Sequence, residues 1–162
     1  MSARLAPVLR LPTDHPAEDE EVPSPAELAC ARYVDRGIKD ARVLVELCKA
    51  AATRARAEGK KLIAVLLADF EKEFSDEATA LEPAAVPDVR WPERVLWQVD
   101  DDAEADEWID TIHDSLQHSA RTMRWIAKRP DLSPLARVTF DALASAHQAR
   151  RRLLIACRAI DC

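Results

Sequence analysis

Apolar residues recur along most of this 162-residue chain at steps of three and four, the spacing that lines one face of an α-helix. In the first such stretch Leu28, Ala31, Val34, Ile38, Ala41, Val45, Cys48, Ala52 and Ala55 share a face. Arg32, Arg36, Lys39, Asp40, Arg42, Glu46 and Lys49 fall on the other. Ser24 supplies an N-cap, Pro25 suits the first helical position, and Glu27 completes a capping box. Gly59 suits the residue just past the helix end. A helix over 25–58 would be about 50 Å long at 1.5 Å per residue, so Gly37 is a candidate kink or break inside it.

A second stripe, from Leu62 and Ile63 through Leu66, Leu67, Phe70, Phe74 and Ala78 to Leu81, predicts a helix over 61–81. Glu71, Glu73, Asp76 and Glu77 crowd its C-terminal half. That placement opposes the helix dipole and calls for basic neighbours or fraying. A third helix follows from Asp101 or Asp102 as cap, with Asp101 and Glu104 at capping-box spacing. Its stripe is Ile109, Ile112, Leu116, Ala120, Met123 and Ile126, and Pro130 ends it. The fourth repeats the Ser-Pro start at Ser133-Pro134 and runs to about Ile160. Its apolar positions are Leu135, Val138, Phe140, Leu143, Ala146, Leu153, Leu154, Cys157 and Ile160, and Arg150-Arg151-Arg152 forms one basic turn.

The connection over 82–100 carries Pro83, Pro87 and Pro92. Pro92 can open a short helix with Val95, Leu96 and Val99 on one side, and Trp91 and Trp97 are expected to lie across the helices as a lid. The expected fold is all-α: an antiparallel four-helix bundle over 24–162, with a Pro- and Trp-containing connection between helices two and three. A disordered, acidic, Pro-rich tail over 1–23 precedes it. Inside that tail Leu5, Val8, Leu9 and Leu11 form a small apolar cluster, read either as a fold-back onto the domain or as a docking peptide for a partner.

Composition narrows the picture. Two Gly and no Asn leave few residues for the left-handed positions that β-hairpins need. Arg far exceeds Lys, as in a GC-rich genome. A net charge of -6 argues against a nucleic-acid footprint. No apolar run approaches the roughly 20 residues of a membrane span, and no secretory signal is legible at the start. The four Cys show no CxxC spacing and read as thiols in a reducing cytosol. Cys30, Cys48 and Cys157 take helical positions as small buried hydrophobes, while Cys162 is terminal and oxidisable.

Candidate chemistry is sparse. Di-iron bundles use inward Glu residues plus Glu-x-x-His pairs, and the nearest match is a single Asp110-Thr-Ile-His113. Its metal-site reading stands against two residues at the rim of the stripe. His113 and His118 lie five residues apart, about 140° apart on the helix, and do not act as a dyad. His118, followed by the small Ser119 and Ala120 and by Arg121 one turn on, suits phosphotransfer, against the reading of an exposed helix His. His147 sits between Leu143 and Leu154 and is expected at the core edge, within reach of His118 or Asp114. There is no nucleophile elbow and no Gly-rich phosphate loop.

Residues 100–114 hold eight acidic side chains and no basic one, whereas 121–158 hold nine basic and two acidic. Beyond dipole matching and cross-helix pairing, this gives a bipolar surface suited to orienting a partner. The four Trp are of the kind that anchors interfaces, with two expected in the core and one or two near a surface groove. Trp91, Trp97 and Trp125 join the tail cluster as candidate partner contacts. The function expected is a non-enzymatic, cytoplasmic helical adaptor or regulatory protein with no cofactor. It would bind another protein or a second copy of itself, and neither nucleic acid nor membrane. The alternative is His and carboxylate chemistry, as metal binding at Asp110 and His113 or phosphotransfer at His118 with Arg121.

Overall fold

The computed structural model describes residues 22–93 and 97–161, so the tail cluster, Val95, Leu96 and Cys162 lie outside the described residues. The described chain is all-helical, with α1 at Pro25–Ala57, α2 at Lys61–Leu81, α3 at Ala105–Ala127 and α4 at Pro134–Ile160. No described helix is long and apolar enough to cross a membrane. The expected capping box is present: the Glu27 amide donates to Ser24 Oγ and the Ser24 amide to Glu27 Oε2. Ser133 caps α4 with its hydroxyl alone, which accepts from the Ala136 amide.

Helices α1 and α2 pack as one hairpin and α3 and α4 as another, with α1 also against α3 and α2 against α4. The helix ends fix the directions. At the end of α1 the Glu58 carboxylate accepts from the Ala105 amide that opens α3, at 2.9 Å. At the end of α4 the Asp161 carboxylate accepts from the Ile63 amide near the start of α2, at 2.7 Å. All four neighbouring pairs are therefore antiparallel, and α2 and α3 run parallel across the diagonal. Residues 82–104 accordingly travel the length of the bundle. A brief 3-10 turn at Glu82–Ala84 starts that path, and α1 pins its middle: Asp35 accepts from the Trp91 amide at 2.6 Å, and Lys39 donates to the Trp91 carbonyl at 3.2 Å.

Two boundaries and one face depart from expectation. Helix α3 begins only at Ala105 with Glu104 at its N-cap, because Asp101 and Asp102 form a turn before it. Helix α1 is unbroken through Gly37. A Cβ there would lie 2.9 Å from Leu81 Cδ1, so this glycine serves close approach of α2 within a continuous helix. Gly37→Val should cost about 1–3 kcal/mol by overpacking. Gly37→Ala should change less, because up to about 1 kcal/mol of helix propensity offsets the displaced Leu81. Denaturant midpoints check this, and an unshifted midpoint for the Val variant would rule out the close approach. The third departure concerns Arg36 and Asp40, which belong by periodicity to the solvent face yet are buried.

The core has two apolar clusters. One gathers the C-terminal half of α1, the N-terminal halves of α2 and α3 and the end of α4, around Leu44, Phe70, Phe74, Ile109 and Leu154. The other gathers the opposite ends, around Tyr33, Val34, Leu81, Met123 and Phe140. Cys48 and Cys157 are buried and Cys30 half-buried. Burial raises the Cys48 thiol above its ordinary value.

Candidate functional site: a buried polar layer

Between the two apolar clusters every helix contributes a polar side chain to one continuous layer. From α1, Arg36 Nε donates to Asp40 Oδ1 at 2.8 Å. From α3, Ser119 Oγ donates to Asp40 Oδ2 at 2.7 Å. From α4, His147 Nδ1 meets Ser119 Oγ at 3.0 Å, and Nε2 meets Glu77 Oε1 of α2 at 2.6 Å. Arg150, one turn further along α4, donates to Glu77 Oε2 at 2.9 Å and to Glu73 Oε2 at 2.8 Å. The ring of His147 packs edge-on to Phe74 with centroids 5.6 Å apart, and the Arg150 guanidinium lies 4.6 Å above the same ring. His147 is 1% exposed.

The protonation pattern follows from these partners. Burial pushes the Glu77 carboxyl up, but His147 and Arg150 outweigh it and hold the group below its ordinary value. Burial also works against the charge of Arg150, and Glu77 and Glu73 outweigh it there too. For Asp40 the balance falls the other way: burial dominates over Arg36, Ser119 and His147, and the carboxyl is raised. With Glu77 ionised, His147 Nε2 carries a proton and donates to it. The layer sets the cations Arg36 and Arg150 against the carboxylates Asp40, Glu77 and Glu73, so each buried charge meets an opposite one.

A serine, a histidine and a carboxylate in a row invite comparison with a hydrolase triad. The geometry argues against that use. The serine faces Nδ1 and the carboxylate faces Nε2, the reverse of the triad order. Ser119 hydrogen-bonds a second carboxylate and is buried. A crevice beside it, between Trp97 and His118, has no room for a water molecule.

The residues singled out by sequence lie elsewhere. Asp110 pairs with Arg158. His113 Nε2 accepts from Arg151 Nε at 2.8 Å, and its Nδ1 faces Asp114 at 3.2 Å. Both therefore face cations of α4. Among the described residues no three His, Cys, Asp or Glu side chains gather into a metal-binding cluster. His118 is exposed, with its ring edge-on to Trp97 at 5.9 Å, and Arg121 is exposed one turn on. His147 pairs with neither His118 nor Asp114; it lies in the core, not at its edge.

Trp91 packs against Tyr33 under the Arg36 guanidinium, and Trp97 packs on the first cluster. Trp108 lines an open groove of about 480 Å³ together with Glu46, Lys49, Arg54 and Asp101. Trp125 is 51% exposed. Its ring is steadied by Arg129 at 5.1 Å and by Tyr33 edge-on at 6.1 Å. The chain matches no family model, and no curated protein and no solved structure is significantly similar to it.

Proposed function

We propose that this protein is a non-enzymatic helical adaptor or regulatory protein that acts in the cytosol by binding another protein. What carries the reading is the sealing of the polar layer. Among the described residues, the place where acid, base and hydroxyl groups converge spends their hydrogen bonds on one another and offers none to a substrate. Large apolar side chains are offered to solvent instead. Trp125 is the anchor: half exposed, held on both sides, and of the residue type that dominates binding energy at interfaces. The tail residues Leu5, Val8, Leu9 and Leu11 supply a second contact.

The test is cross-linked capture from the native cell with the full-length chain and with Trp125→Ala as baits. A protein retained by the first should fall at least roughly tenfold with the second, since an interfacial Trp contributes about 2 kcal/mol or more. Equal retention by the two baits would sink the reading. So would a phosphohistidine mapped to His118, which would assign phosphotransfer there, with Arg121 holding the phosphoryl group.

A further inference from the structure

Helix α4 has a second apolar face that nothing in the described chain covers. Leu135, Val138, Leu153 and Ile160 stand exposed on it, and Ala142, Ala146, Ala149 and Ala156 fill the turns between them. Successive members lie three or four residues apart, so the face runs straight along the helix. It lies on the order of 120° round from the buried positions Phe140, His147 and Leu154, at 100° per residue. No charged side chain interrupts it. The outer face of the adjoining α2 is acidic at its middle, with Asp69, Glu73 and Asp76, which leaves α4 as the centre of any apolar contact.

We propose that this face is a homodimer interface, on which two copies of the chain pack α4 antiparallel about a two-fold axis beside Ala146 and Ala149. A two-fold interface must complement itself, and the spacing here reads nearly the same in both directions. Centred there, Ala146 of one copy meets Ala149 of the other, Ala142 meets Leu153, Val138 meets Ala156, and Leu135 meets Ile160. Small side chains at the centre let the helix axes approach to about 8 Å, the close end of the usual range. On either side of the centre large residues face small ones, and at the ends Leu135 faces Ile160.

Charge selects the same orientation. The edge of the face remote from α2 carries Asp141 and Arg152. Antiparallel packing sets Asp141 of each copy against Arg152 of the other, whereas a parallel two-fold turns this edge toward the α2-side edge of the second copy and leaves the pair unmade. Among the described residues Arg152 makes no ion pair, and Asp141 has only Arg124 at 3.9 Å. The dimer does not depend on the proposed partner contact, since Trp125 lies on the α1–α3 side of the bundle against Tyr33.

Sedimentation equilibrium of the full-length chain tests the proposal. The wild type should show the mass of two chains. Ala149→Glu, an exposed substitution, should give a monomer with unchanged helical circular dichroism. Asp141→Arg and Arg152→Asp should each weaken the dimer by roughly tenfold, and the double exchange should restore it. A monomeric wild type overturns the proposal. So does a dimer that survives Ala149→Glu, or a double exchange no tighter than the single ones. A Trp125→Ala chain that dimerises but captures as much partner as the wild type would count against the adaptor reading and leave the dimer standing.

Discussion

Glu77→Ala is expected to destabilise the fold by about 3–5 kcal/mol, because removing one member of a buried ion cluster leaves the others uncompensated. Glu77 is the hinge of the layer: one oxygen takes His147 Nε2 and the other takes Arg150. Without it, buried His147 Nε2 loses its acceptor, and Arg150 keeps only the half-exposed Glu73. A typical domain has only about 5–15 kcal/mol in hand, so the variant should sit close to unfolding. Replacing Glu77, His147 and Arg150 together by Leu, Leu and Met should cost far less, since apolar groups of similar size need no partners. Guanidinium denaturation of the two variants separates the accounts. A single variant within about 1 kcal/mol of wild type would mean that water reaches the layer, against the burial described above.

Acid should act through the same layer, with two carboxylates of opposite sign. Glu77 is held below its ordinary 4.5. The stability it supplies is fully present above pH 4.5 and is lost as pH falls through its lowered folded-state value. Asp40 is raised above 3.8 by burial. Protonating it favours the fold, so its contribution is present below pH 3.8 and is lost as pH rises through the raised value. The two oppose each other over the acid limb. Glu77→Gln should flatten that limb relative to wild type, and Asp40→Asn should steepen it. Unfolding midpoints measured from neutral pH down through the carboxylate range give the slopes, and parallel curves for Glu77→Gln and wild type would remove Glu77 from the acid response.

The bundle was legible because its signals are local. The Ser-Pro starts, the Ser24–Glu27 box, Gly59 and the steps of three and four each act within a turn or two of chain. The path of 82–104 was not legible: prolines announce an irregular segment but do not say how far it travels, and the pairing of Ala105 with Glu58 at the far end of α1 reveals that. The polar layer was hidden for a related reason. Periodicity sorts residues by type, so Arg36 and Asp40 went to the solvent face, although four residues apart on a helix they can neutralise each other and enter the core as a pair. Glu77 was noted only as a charge in need of a basic neighbour, and Arg150 answers that need from 73 residues away. Ser119 carried no signal of its own. On α4, Leu135, Val138, Ala146, Leu153 and Ile160 were grouped with core residues such as Phe140 and Leu154. A helix with two apolar faces cannot be told by composition from one with a single broad face.

The layer also bears on which halves of the chain can be mates. The α1–α2 hairpin brings Arg36, Asp40, Glu73 and Glu77 to it, one cation against three carboxylates. The α3–α4 hairpin brings Ser119, His147 and Arg150, with the Arg150 cation and no carboxylate. Two copies of either hairpin pressed together on their inner faces would confront like charges in a medium that hardly screens them. Each hairpin is thus a poor counterpart for its own kind and a fitting one for the other. Exchange of hairpins between chains can yield only the same complementary match, and self-association is left to outer surfaces such as that of α4.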